Sequence, residues 1–220
     1  MQAKFIRAGG IAALLVPVAL WGGGLLAITL VSGMQLPGAA GGVFEAALGA
    51  VSPLLIAGAL AATWGHMAEA GRRGAGFVIF PLVAVLLVSV VLYAALGSIV
   101  IFTSDLSTRN LQGAGAFAYA SCFALAFLFG VQLIRHDGAG RGLWIASGIL
   151  YIIAALLAAP SWAVLAIEIW DAGNASARFT RNLAALLGLL FGTLLVLPMA
   201  CLCHGLALLR AARHEPKSIG

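Results

Sequence analysis

Charge is what this chain lacks most. Only 9% of its 220 residues are Asp, Glu, Lys or Arg, against roughly a quarter in soluble globular domains. A water-exposed surface cannot be assembled from so few ionised side chains, which excludes the soluble globular classes. The same scarcity excludes disorder for most of the chain, because segments that stay unfolded are polar. Cysteine is also scarce. Cys122, Cys201 and Cys203 are odd in number and lie inside apolar stretches, which argues against a disulfide framework and fits small buried apolar residues. Several motifs are missing: a phosphate-binding loop, His-Glu-x-x-His, a Gly-x-Ser-x-Gly elbow and Cys-x-x-Cys. The usual nucleotide, zinc and nucleophile signatures are therefore absent, as is any lipidation motif.

What is present is apolar. Hydrophobic residues make up 63% of the chain and the mean hydropathy is +1.10. A bilayer core about 30 Å thick is crossed by roughly 20 mostly apolar residues in a helix. Six windows meet that length, at about 11–31, 44–64, 79–103, 115–134, 143–167 and 183–209, and no Asp, Glu, Lys or Arg lies in the central part of any of them. A closed β-barrel, the other spanning structure, needs alternating polar and apolar positions. Runs such as Val83-Ala84-Val85-Leu86-Leu87-Val88 do not alternate. The expected fold is an all-α integral membrane protein, a bundle of six transmembrane helices arranged as three successive hairpins. Residues 1–220 form a single transmembrane domain, with 210–220 as a short cytoplasmic tail. Lys4 and Arg7 ahead of an apolar run resemble a signal peptide, but the run is long enough to span and reads as an uncleaved first helix.

The net charge of +5 follows the spacing between windows rather than a stripe, so it reads as a topology signal and nucleic acid is not an expected partner. Lys4, Arg7, Arg72, Arg73, Arg135, Arg141, Arg210, Arg213 and Lys217 fall on one side, and Arg109, Arg178 and Arg181 on the other. The richer side is cytoplasmic by the positive-inside rule, which places both termini in the cytoplasm. The Ala-, Leu- and Gly-rich usage suggests a bacterial plasma (inner) membrane. Trp64, Trp144 and Trp170 fall at helix ends, where tryptophan is common at the interface. Pro17, Pro53, Pro160 and Pro198 lie inside windows and each removes one backbone hydrogen bond.

Three histidines stand out. His66, His136 and His204, separated by 70 and 68 residues, fall at or near the cytoplasmic ends of successive outward-to-inward helices. They are the cofactor-binding candidates, since imidazoles inside a bundle can ligate haem or another metal. A wet helix end explains the depth of His66 and His136 without a cofactor. His204, six residues inside Arg210 and so roughly 9 Å deeper, is the exception, and no cofactor, metal or catalytic residue is expected. In Cys201-Leu202-Cys203-His204 the two thiols lie about 200° apart around a helix and cannot face one ion. Glu45, Glu168 and Asp171 read as solvated outer charges. For helix packing the expected positions are Gly188 and Gly192, together with the stripe Ala116, Ala120 and Ala124, because small residues allow close backbone approach in lipid.

The function expected from this pattern is a non-catalytic subunit or scaffold of a larger membrane complex, with the lipid bilayer and other membrane protein subunits as partners. Two alternatives are a small-solute transporter or channel component, and a haem- or metal-binding redox subunit.

Overall fold

Within hydrocarbon a backbone must satisfy its own N–H and C=O groups, and the uninterrupted Ala-, Leu- and Ile-rich runs do so as helices. The structure, a computed structural model, describes residues 4, 6–18, 21, 106–137, 139–171 and 182–214. Every element among them is helical. They are α1 (Ile6–Val18), α2 (Leu106–Ile134), α3 (Arg141–Asp171) and α4 (Leu183–His214). Three contain stretches long and apolar enough to cross a membrane, at Gly113–Ile134, Arg141–Trp170 and Leu183–His214, and α1 is a shorter apolar helix. This architecture is consistent with an integral membrane protein. The expected windows 44–64 and 79–103, most of 11–31, and His66 lie outside the described residues.

The large apolar side chains point the same way. Leu156, Ile167 and Leu183 are more than 60% exposed, whereas the buried interior is rich in alanine and glycine. In water that arrangement would be inside out. In a bilayer, lipid covers the leucines and small residues let the helices approach.

α2 and α3 form an antiparallel hairpin. Its turn passes through Gly140 at φ 86°, a left-handed conformation open to glycine. The Gly140 carbonyl accepts the N–H groups of Leu143 and Trp144 at 2.8 and 3.3 Å, which starts α3. Midway along the turn-proximal half, Gly130 and Gly148 bring the two backbones together. A Cβ on Gly148 would lie 2.5 Å from the Gly130 carbonyl oxygen, and one on Gly130 would lie 2.6 Å from that of Gly148.

α4 returns antiparallel to α3, and Gly188 and Gly192 both face α3. A Cβ on Gly192 would stand 2.9 Å from the Ala158 Cβ and 3.1 Å from the Ala154 carbonyl oxygen. A Cβ on Gly188 would meet Ser161 Oγ and, at 2.7 Å, the Leu157 carbonyl oxygen. The expected outcome is that Gly192→Leu disrupts the bundle, whereas Leu190→Ala, at an exposed position, changes its thermal unfolding little. Detergent-solubilised variants compared by unfolding temperature check this.

Residues Leu190–Val196 of α4 are wound as a π-helix, and the Leu197 N–H donates to the Gly192 carbonyl five residues back. Pro198 follows directly. It has no N–H to donate, and its ring crowds the carbonyl four residues earlier, that of Leu194. The indole N–H of Trp21 donates to that oxygen at 2.8 Å. Trp21→Phe is expected to lower stability by about 0.5–1 kcal/mol, the range of hydrogen bonds between membrane helices, measured by thermal unfolding against wild type.

That bond, together with a close approach at Gly10, fixes α1 on α4. A Cβ on Gly205 would lie 2.8 Å from the Gly10 carbonyl oxygen. Because residue 10 meets 205 and residue 21 meets 194, α1 runs antiparallel to α4. Lys4, Arg7, Arg210 and Arg213 therefore share one end of the bundle with the 135–140 turn.

Boundaries differ from the sequence windows in two informative places. α2 begins at Leu106 rather than 115, because Gly113 packs beneath Trp170 and the Asn110 carbonyl accepts its indole N–H at 3.3 Å. The expected tail from 210 is helical as far as His214, because Ala211 and Ala212 are buried in a cluster with Ile6 and Leu208.

Candidate functional site

On α3, Trp144, Ser147 and Tyr151 recur at i, i+3 and i+7, a spacing that puts them on one helical face. On α4, Cys201, His204 and Leu208 repeat the same spacing. α2 adds Phe129 and Leu133. These faces meet in one buried cluster, with His204 only 1% exposed.

At its centre the Tyr151 hydroxyl lies 3.4 Å from His204 Nδ1 and 3.5 Å from Cys201 Sγ. One assignment gives each group a compatible role: the thiol S–H donates to the phenol oxygen and the phenol O–H donates to Nδ1. Aromatic rings surround the imidazole. The Phe129 and Trp144 centroids lie 5.5 and 5.7 Å from that of His204, and Tyr151 meets it edge-on at 6.0 Å. Phe129 and Tyr151 also pack edge-to-face at 5.3 Å. One turn away, Ser147 Oγ donates to the Ala200 carbonyl at 3.1 Å, a second polar tie between α3 and α4.

His204 lies six residues inside Arg210, and Tyr151 ten inside Arg141. At 1.5 Å per residue the cluster sits about 9–15 Å beneath the arginines. That is within the apolar part of the helices, not at their wet ends.

His136 lies in the α2–α3 turn, partly buried, with its ring 4.5 Å from Trp144. The Trp144 indole thus packs against both His136 and His204. Trp144 is itself fully buried, and its N–H donates to the Ala139 carbonyl at 3.2 Å. This corrects its reading as an interface residue: the turn folds back over α3 and encloses it. Trp170 at the opposite end is 41% exposed.

As the 200° spacing on a helix requires, Cys203 lies on a different face from Cys201 and is only partly buried, while Cys201 and His204, three residues apart, both meet the Tyr151 hydroxyl. Tyr151, Ser147 and Phe129 were missed. The available signal was the i, i+3, i+7 spacing of Trp144, Ser147 and Tyr151 in an otherwise apolar helix. Among the described residues, no three His, Cys, Asp or Glu side chains are gathered as a metal site would require.

Of the packing stripe on α2, Ala116 and Ala120 are buried, but Ala124 is exposed. Steps of four residues drift about 40° each around a helix, so the third alanine has rotated off the contact. Phe123 and Ala126 face inward there instead. The tight positions of the α2–α3 hairpin, Gly130 and Gly148, were not distinguished among 28 glycines.

Compared with protein-family models, curated proteins and solved structures, the chain matches none.

Proposed function

We propose that this chain is a non-catalytic subunit or scaffold of a larger membrane complex, crossing a bacterial plasma membrane six times with both termini in the cytoplasm. The observation that carries the reading is the use made of the chemically capable side chains. The Tyr151 hydroxyl engages Cys201 and His204, Ser147 engages the Ala200 backbone, and aromatic rings close around the imidazole. In an apolar interior such bonds set the register of one helix against another. The group that would otherwise serve as a ligand or proton carrier is part of the α3–α4 contact.

The topology has its own support. Helices α1 and α4 are antiparallel, and Lys4, Arg7, Arg135, Arg141, Arg210 and Arg213 gather at one end of the bundle, as the positive-inside rule requires of a cytoplasmic face. A periplasm-active reporter fused after Gly220 is expected to be silent; an active one contradicts the orientation.

The subunit role is tested by purifying the chain from its native membrane in mild detergent and measuring the particle mass. The expected result is a stable assembly larger than the 22.4 kDa chain, containing at least one other membrane polypeptide in fixed ratio. A lone chain that catalyses solute flux in proteoliposomes contradicts the proposal in favour of a transporter.

A further inference from the structure

We propose that the basic end of the bundle holds the headgroup of an anionic phospholipid between Arg210 and Arg141, with an acyl chain lying along α4. The inference rests on the membrane-spanning reading and is independent of the subunit role.

The Arg210 side chain leaves α4 and lies across the α2–α3 turn. A Cβ on Gly140 would stand 3.1 Å from Arg210 Cδ and 3.7 Å from its Cγ. A glycine at a positive φ therefore clears the path that carries this stem toward the first residue of α3, Arg141. Arg141 is 70% exposed, and its contact with Asp137 is 3.7 Å long. An exposed ion pair of that kind is weak, so the guanidinium keeps most of its donor capacity. Asp137 is the one carboxylate described at this end, and the field there is positive. Cations beside a bilayer attract anionic headgroups, each contributing a severalfold gain in affinity.

The second half of the argument is apolar. Leu195, Met199 and Leu206 are each more than 40% exposed. With Arg210 they are spaced at 4, 7 and 4 residues, which keeps them within about 60° of one another around a helix. The stripe runs from the arginine toward the middle of the bundle. A ligand matching it has a negative head and a long apolar tail. An acidic peptide would satisfy the arginines and leave the stripe uncovered, and free phosphate would do the same.

The test uses the full-length chain, delipidated in a neutral detergent. Phosphatidylglycerol is titrated against phosphatidylcholine with the same acyl chains, and binding is read by native mass spectrometry and by unfolding temperature. Phosphatidylglycerol is expected to be retained more strongly and to stabilise the protein. In the double variant Arg141→Gln, Arg210→Gln its affinity is expected to fall by roughly 25-fold, about fivefold per cation, with phosphatidylcholine binding unchanged. Arg210→Lys keeps the charge and is expected to lose less than about fivefold. Unchanged elution and helicity of the double variant show that it is folded; if it is not, Arg141→Gln alone carries the comparison, since Arg141 is exposed. Equal retention of the two lipids, or no loss in the folded variant, overturns the proposal. Equal stabilisation by millimolar inorganic phosphate overturns the lipid assignment. An acidic polypeptide released by the arginine variants while phosphatidylglycerol binding is unaffected assigns the surface to a protein instead.

Discussion

Gly148→Leu is expected to break the α2–α3 hairpin and to leave too little folded protein for purification, or to lower its unfolding temperature by about 10 °C or more. The cause is backbone against backbone. A Cβ at this position would lie 2.5 Å from the Gly130 carbonyl oxygen and 3.0 Å from the Ile134 N–H nitrogen. Neither atom can move aside as the end of a flexible side chain could. Overpacking costs about 1–3 kcal/mol where side chains can adjust, and more here, because the helices themselves must separate. Separation would also weaken the cluster that Phe129 and Leu133 share with Trp144 and Tyr151. Gly142→Leu is the matched control. It adds the same side chain one and a half turns away, where a Cβ meets nothing within 4 Å, and it is expected to be neutral or slightly stabilising, because glycine is a poor helix former. Detergent-solubilised variants compared by size-exclusion profile and unfolding temperature decide the matter. Equal tolerance of the two substitutions would show that the Gly130–Gly148 approach does not exist in the protein.

His204→Ala is expected to destabilise the bundle by about 2–4 kcal/mol, the range for emptying a ring-sized site whose walls cannot fully collapse. Three aromatic rings lose a neighbour at once, and Tyr151 loses the imidazole beside its hydroxyl. His204→Phe separates the two effects. It keeps a ring between Phe129 and Trp144 and removes Nδ1, so its cost is expected to approach about 1 kcal/mol, the net value of one hydrogen bond. Tyr151→Phe tests the other side of the bond and is expected to cost a similar amount. The double variant Tyr151→Phe, His204→Phe is expected to cost less than the two together, by about 0.5–1 kcal/mol, because both single changes remove the same interaction. Strict additivity would mean that the hydroxyl and the imidazole do not interact.

The sequence made the helices legible because lipid permits so little else. A run of roughly 20 apolar residues without an ionised side chain has few structures open to it, and the windows at 115–134, 143–167 and 183–209 coincide with the apolar portions of α2, α3 and α4. Their ends were less legible. Hydropathy records where apolar residues stop, whereas a helix continues as long as its backbone bonds and neighbours support it. That is why α4 runs on through Ala211 and Ala212 to His214. The π-helical stretch of α4 was hidden for a related reason: Pro198 announced a lost hydrogen bond, but not that the preceding turn would widen or that the Trp21 indole would donate to the Leu194 carbonyl.

The site was legible only in pieces. His204 was singled out from its depth, whereas its partners come from other helices, and a single sequence records spacing within a helix but not rotation between helices. Trp144 shows the cost of reading position alone. It lies near a helix end, as interface tryptophans do, yet the turn at 135–140 folds over it. Ala124 shows the limit of a fixed spacing of four, which walks off the contact within two turns.

The central claim is that His204 and its neighbours hold helices together and bind no cofactor. It is tested most directly by metal analysis and a visible absorption spectrum of the wild-type protein, purified in mild detergent, alongside His204→Ala. The expected result is a featureless visible spectrum and substoichiometric metal in both proteins, with the variant differing only in stability. A Soret band in the wild type, or metal bound near one per chain and lost in His204→Ala, would contradict the claim and make this a redox or metal-binding membrane protein.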